Sequence, residues 1–366
     1  MVHISKYQLF CLLVLFELGS TSLFLLGVEA EQDAWIAVIA GTIGGAALLW
    51  TYVKLQSMFQ NKNIVEIIIM LLGRFWGIAV SVLYGLYFFY KSSIILREFS
   101  ELILMSYLPR TPLIYVMISL IIIIVFGCWS GLEVLARTSE VCCPIVLIFM
   151  LITYILTICS NEMHLSELTP ILSKGVMPVV YAAYPRILSF PYGEAFIFFM
   201  FWRHVEPKES ICKTSLIAVA VAGLIITASA VIIISVLSVE FASNSTIPLL
   251  QIIKLINIGD ILTNLDAIGV TIIFIGGFYK IIMFFYGTIQ VINTVFEVNS
   301  SKLLIAIMGA VAVGFSYYFI PSYEFSLWLG KKIHPFLMNT PMLVFNPILL
   351  LAIAYIKNRN NAVKKA

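Results

Sequence analysis

Glu194 closes the run Ser189-Phe190-Pro191-Tyr192-Gly193-Glu194, which sits inside a long apolar stretch. A helix crossing a bilayer there should run unbroken, yet proline removes a backbone donor and glycine tolerates angles that other residues avoid. The run therefore predicts a discontinuous helix at membrane depth, with a carboxylate at the break. Irregular backbone survives at that depth only where protein buries it or where it lines a wet cavity. Transporter-type folds place substrate sites at such breaks. A carboxylate there is costly unless a cation partners it or it takes up a proton. Arg186, two turns earlier on the same segment, and Lys280, in a later apolar segment, are the candidate partners. A ligand-responsive group and a structural ion pair that holds the break open both fit Glu194.

A weaker interruption, Gly19-Ser20-Thr21-Ser22, lies in the first apolar segment. Half-helix N-termini expose N–H groups and a positive dipole end suited to a carboxylate, and half-helix C-termini offer carbonyls to an ammonium. Paired breaks can therefore grip the head of an amino acid, with Gly19, Ser20, Thr21, Ser189, Phe190 and Tyr192 around the pocket. Tyr192 or Phe190 would cover the ligand. The competing readings are a kinked but packed helix at 191–193 and small-residue helix packing at Gly19. Glu17, two residues before the first break, either neutralises a base such as Lys91, helps line the cavity, or makes a protonated interhelical contact.

Tyr84, Tyr87, Lys91 and Glu98 fall on one helical face. A polar stripe on an apolar helix faces protein or water, so these residues would line a cavity unless Lys91 snorkels to the interface. Lys280 either stands in for a bound sodium ion or forms a structural pair. The six cysteines and four histidines show no metal-ligand spacing, no C-x-x-C pair occurs, and no G-x-S-x-G or zinc pattern appears. Neither a metal, a cofactor nor an enzymatic activity is expected.

The elements that must position these groups are membrane helices. Of 366 residues, 61% are hydrophobic and 11% charged, with a mean hydropathy of +1.04. Soluble domains carry about 25% charged residues, so the chain is an integral membrane protein. A net charge of +3, scattered along the sequence, gives no footprint for nucleic acid. Apolar segments of spanning length fall near 7–28, 34–55, 76–100, 112–130, 133–159, 176–202, 211–239, 264–290, 302–320 and 340–357. Segment 63–73 is too short to span and is expected in the interface, as is a short helix over 247–256. Val28-Glu29-Ala30 resembles a signal-peptidase site, but Glu17 and the Gly-Ser-Thr-Ser run argue for a retained first span. Lys and Arg gather on the side that holds both termini, with only Arg97, Arg110, Lys174, Lys254, Lys331 and Lys332 opposite, so both termini are expected in the cytoplasm. We read one polytopic domain over 1–366, with spans one to five over about 7–159 and six to ten over about 176–357. Interruptions in the first and sixth spans are the mark of a five-plus-five inverted repeat.

Together these features resemble the B subunits of GerA-type nutrient germinant receptors of spore-forming bacteria. Residues 189–194 match that family's S-F-P-F/Y-G-E run. Asp33-Ala34-Trp35-Ile36, Gly131-Leu132-Glu133-Val134-Leu135-Ala136-Arg137 and Ile258-Gly259-Asp260-Ile261-Leu262 with Asp266 follow in family order. The resemblance covers essentially the whole chain and implies the fold of the amino acid–polyamine–organocation transporter superfamily. It also implies a place in the spore inner membrane, nutrient sensing, an A-type partner and a lipoprotein C-type partner. Thr21 and Leu26 occupy positions where the family often has glycine and proline, which implies a less sharply broken first helix. Asn264 stands where relatives often have arginine. A self-sufficient amino acid transporter of the same superfamily is the rival reading.

Overall fold

The computed structural model describes residues 3–21, 24–255, 266–298 and 301–363, the side chains of Ser20, Asp266 and 359–363 excepted. Among these residues the secondary structure is helical, apart from an isolated bridge between Ile4 and Val205. The helices are α1 (Lys6–Thr21), α2 (Ala34–Met58), α3 (Ile64–Leu72), α4 (Arg74–Ser106), α5 (Leu113–Ser130), α6 (Leu132–Cys159), α7 (Met177–Tyr181), α8 (Ser210–Asn244), α9 (Pro248–Leu255), α10 (Asp266–Phe296), α11 (Lys302–Phe319), α12 (Tyr323–Lys332) and α13 (Asn346–Val363).

Eight helical stretches among the described residues are long and apolar enough to cross a membrane. The two expected spans absent from that set are 7–28 and 176–202, the pair whose sequences carry interruptions. α1 is described over the 16 residues Lys6–Thr21, and a 3-10 turn covers Val28–Asp33. Segment 177–204 is broken along its described length. α7 gives way to a π turn over Ala182–Ile187, in which Tyr184 is extended (φ −126°, ψ 131°). Tyr192–Met200 and Trp202–His204 then follow as 3-10 turns. Pro185 and Pro191 lack the N–H that a regular α-helix would need at those places.

Two close approaches seat the interrupted segments. The glycines of α2 receive the sixth: a Cβ on Gly41 would lie 2.3 Å from Ile187, and one on Gly45 would lie 2.5 Å from Tyr192. α1 crosses α10 where Gly19 meets Gly276, and a Cβ on Gly276 would stand 2.4 Å from the Gly19 carbonyl oxygen. The start of the chain is tied to the end of the sixth segment by the Ile4 N–H, which donates to His204 O at 2.8 Å.

Helices are present over both short segments. α3 is capped by Asn63, whose side chain accepts the Glu66 N–H at 2.9 Å while Glu66 Oε2 accepts the Asn63 N–H at 2.8 Å. α9 occupies most of 247–256. α12 was not expected. It starts at the N-cap Ser322, whose hydroxyl accepts the Phe325 N–H at 3.2 Å. The last span also begins earlier than 340, through a π turn over His334–Phe345 that carries Pro335 and Pro341.

Candidate functional site

Three elements converge on Glu194. The break places it in the first turn of the 3-10 segment after Pro191, where it is 1% exposed. Lys91 of α4 brings Nζ to 2.6 Å from Oε1, and Lys280 of α10 brings Nζ to 3.1 Å from Oε2. Both contacts are close charge pairings rather than well-aligned hydrogen bonds, since neither Glu194 carboxylate oxygen has a hydrogen-bond partner. Taking an ion out of water costs several kcal/mol, so a lone carboxylate would not persist here. Two cations share it instead. Lys280 also lies over the Phe190 ring at 4.2 Å and the Phe16 ring at 5.4 Å, and Lys91 lies 5.8 Å from the Tyr87 ring centroid.

Of Glu194 and its two lysines, Glu194 and Lys91 border a cavity of about 220 Å³, and the fully buried Lys280 does not line it. Lys91, Phe190 and Glu194 form its inner end. Its sides come from residues 24–29, from the α8–α9 connection, from Ile94, Ile95 and Glu98 of α4, and from Tyr323, Ser326, His334 and Asn339. Near the rim Arg186 pairs with Glu29 at 3.2 Å. The polar stripe of α4 fixes the facing π turn: Tyr84 OH donates to Met342 O at 2.6 Å, and Tyr87 OH donates to Asn339 Oδ1 at 3.0 Å. His334 Nε2 lies 2.6 Å from Tyr90 OH. The volume is below the ~300–1,000 Å³ of sites for drug-sized molecules, so the space suits a small solute.

On the other side of Glu194 the interior is filled. Residues 192–200 are all buried. Phe196 stacks on Tyr84 at 4.6 Å and packs against Tyr52 and Phe199 at 5.5 and 5.0 Å. Trp202 closes the block against Phe199 at 5.0 Å.

With this geometry in view, comparison with known proteins is decisive about kinship. The model of the family described as "Spore germination protein" matches residues 3–323. Spore germination protein KB of Bacillus subtilis is 30% identical over 363 residues, covering 99% of this chain and 97% of that protein. The chain belongs to the spore germination protein family. Another relative, spore germination protein YndE of the same organism, is 25% identical, covering 90% of this chain and 89% of its own length. Among solved structures, a manganese transporter mutant of Eremococcus coleocola aligns with a TM-score of 0.57 at 10% identity, covering 96% of this chain and 76% of that one. That likeness is one of fold. This spore germination protein is thus a multi-pass membrane protein with a transporter-like architecture.

The family member's predicted site residues divide. Glu194, Lys91, Lys280 and Phe190 come together. Arg186 does not partner Glu194: the extended backbone at Tyr184 carries it toward Val28–Asp33, where Glu29 takes it. Tyr192 is no cover over the cavity. Its hydroxyl lies 2.6 Å from Thr42 Oγ1 on α2, and its ring presses on Gly45. Gly19 is a packing glycine against Gly276. Thr21 donates to the Glu17 carbonyl at 2.5 Å, a bond within its own helix. Ser189 is buried and donates to Arg186 O at 3.1 Å. Glu17 neither reaches Lys91 nor borders the cavity. It is fully buried, and neither carboxylate oxygen has a hydrogen-bond partner. The side chain of Ser20, and Asp260, Asn264 and the Asp266 side chain, lie outside the described residues. Sequence reasoning missed Tyr323, Ser326, His334 and Asn339. Ser322 as a candidate N-cap with Glu324 in the following first turn is the signal for α12.

Proposed function

We propose that this protein is the transporter-like B-type subunit of a nutrient germinant receptor in the spore inner membrane. In this reading an amino acid or similarly small nutrient enters the cavity and bears on the Lys91–Glu194–Lys280 trio. The change is passed to A-type and lipoprotein C-type partner subunits. Both termini face the cytoplasm and the cavity opens on the opposite side. The domain is a five-plus-five inverted repeat whose first and sixth members are the interrupted ones.

One observation carries the reading. The break in the sixth segment holds a carboxylate clamped by lysines of two other helices, at the inner end of a small cavity. A solute that competes for Lys91 perturbs α4 and the broken segment directly, and α10 through the Glu194 that Lys280 shares. Differential contact of this kind is what lets a ligand shift a conformational equilibrium. The deciding experiment is deletion of the gene in its spore-forming host, with germination tested against single nutrients. Loss of response to one nutrient class is expected. Spores that answer every nutrient at the normal rate would contradict the receptor role.

The transporter-like fold keeps a second reading in play, a self-sufficient amino acid permease, because fold does not separate transport from sensing. Uptake of labelled amino acids by vesicles holding this protein alone would favour it.

A further inference from the structure

We infer that Glu17 is a proton-binding site that shares Lys280 with Glu194. It holds a proton in the arrangement described above and gives it up when Lys280 turns from Glu194 to Glu17. The inference goes beyond the nutrient reading and does not depend on it.

Glu17 stands in α1 with no exposed surface, and among the described residues neither of its carboxylate oxygens has a hydrogen-bond partner. The two buried lysines of this region both pair with Glu194 instead. A buried carboxylate left alone takes up a proton rather than remain ionised. The elements packed on α1 offer no other cation. From α6, Glu140 and Cys143 lie near Tyr7 and Cys11, closer to the start of α1. On α8, Lys213 and Glu240 stand near the two ends of the helix. The Tyr52 hydroxyl donates to the Leu343 carbonyl, and the Tyr192 hydroxyl meets Thr42. Glu29, Glu98, Arg186 and Lys331 line the cavity, which Glu17 does not, and Arg186 is held by Glu29.

Lys280 is placed differently. Its stem lies along α1: a Cβ on Gly19 would stand 3.3 Å from Lys280 Cβ, and Nζ lies 5.4 Å from the Phe16 ring. Glu17 falls between those two positions, and the charged groups whose fields reach it are Lys280 and Glu194. Lys280 Nζ is itself buried, and the pairing with Glu194 at 3.1 Å leaves it without a well-aligned hydrogen bond. A lysine's flexible stem lets its ammonium change partners. Lys91, at 2.6 Å, keeps Glu194 paired when Lys280 leaves. The two lysines can then serve the two carboxylates one to one. In the exchange the Glu17 O–H bond breaks, its proton passes to water at the cavity end where Glu194 lies, and Lys280 keeps its ammonium protons. The exchanged arrangement binds one proton fewer, so rising pH favours it. It also ties α1 to α10 by an ion pair.

The test uses the purified full-length protein in lipid nanodiscs and infrared difference spectroscopy, read from mildly acidic to alkaline pH in light and heavy water. At neutral pH the unaltered protein should show a protonated-carboxyl C=O stretch that is missing from Glu17→Gln. Glu17→Met, which keeps the side-chain length, is a second deletion of the same carboxyl. The component should fade as pH rises, and the ionised-carboxylate band that Glu194→Gln removes should shift over the same range. In Glu17→Gln that Glu194 band should stay in place. Lys280→Met should hold the Glu17 component to a pH higher by about one unit or more, since no cation is left to take the carboxylate. The inference is overturned if neither Glu17 variant loses a component, or if Lys280→Met leaves the fading where it was. Loss of the Glu17 proton with the Glu194 band unmoved would overturn the exchange. No nutrient enters the measurement, so the nutrient reading stands or falls separately.

Discussion

From Glu194 toward residues 24–29 the interior is lined by Lys91, Glu98, Tyr323 and Asn339 around an open volume of about 220 Å³. From Glu194 toward Trp202 the same segment is packed solid with Tyr84, Phe196, Phe199 and Tyr52. The two regions share one backbone break but use it differently. On the cavity side the break presents a charge. On the aromatic side it lets a tightly wound 3-10 turn bury every residue from 192 to 200. A solute entering the cavity would reach Lys91 and Glu194 before meeting a barrier. Going further requires the aromatic block to repack, and close-packed interiors do that between discrete arrangements rather than by gradual yielding. Under the proposed reading, recognition and passage would be separate problems, met on opposite sides of Glu194.

The largest effect should come from the group that divides the two regions. Glu194→Gln leaves Lys91 and Lys280 without their shared counter-charge, and breaking a buried pair in this way costs about 3–5 kcal/mol. Unfolding of the purified protein in detergent should show that loss. The double variant Glu194→Gln with Lys280→Met should recover part of it, because the fully buried cation goes as well. In spores carrying a Glu194→Gln protein that still accumulates, germination should be impaired. Wild-type stability in the single variant would mean that the trio does not hold the break.

A smaller effect is expected behind the trio, where α1 lies on α10. Gly276→Ala places a Cβ 2.4 Å from the Gly19 carbonyl oxygen, a backbone atom that cannot turn aside. The helices must separate, and overpacking of this kind costs about 1–3 kcal/mol. The crossing is one turn from Lys280, so separation should also loosen the Lys280–Glu194 pair. If so, Gly276→Ala destabilises the unaltered protein more than it does a Lys280→Met background. Equal costs in the two backgrounds would show that the crossing and the trio are independent.

What the sequence reveals follows the same division. The broken segment is legible because proline and glycine act through local backbone chemistry, and eight uninterrupted spans are legible from apolar length. Lys91, Lys280 and Glu194 stand out because charge is expensive in a membrane, whatever the fold. Their mutual pairing is less legible: Arg186 is nearer in sequence to Glu194, yet the extended Tyr184 sends it to Glu29. Nothing local announces that either. Gly19 and Thr21 carry the composition of a break, but Gly19 serves a helix crossing with Gly276, some 250 residues away along the chain. The cavity wall from α12 was hidden because a ten-residue helix of mixed polarity resembles a loop.

The smallest effect sharpens the comparison most. Tyr192 lies in the Ser189–Glu194 run, and composition alone makes it a candidate ligand contact. Its hydroxyl instead meets Thr42 at 2.6 Å, on the α2 side of the break. Tyr192→Phe removes that bond and keeps the ring against Gly45. A buried hydrogen bond contributes about 0.5–1.5 kcal/mol, and Thr42 still has the Val38 carbonyl at 2.8 Å to receive its own hydroxyl proton. Stability should fall by no more than that, and affinity for any solute that binds the cavity should stay unchanged. Calorimetry on this variant beside Tyr323→Phe sets a tyrosine of the aromatic side against one of the cavity side. A matching loss of affinity in both would mean that the break is one continuous site and that the division at Glu194 is wrong.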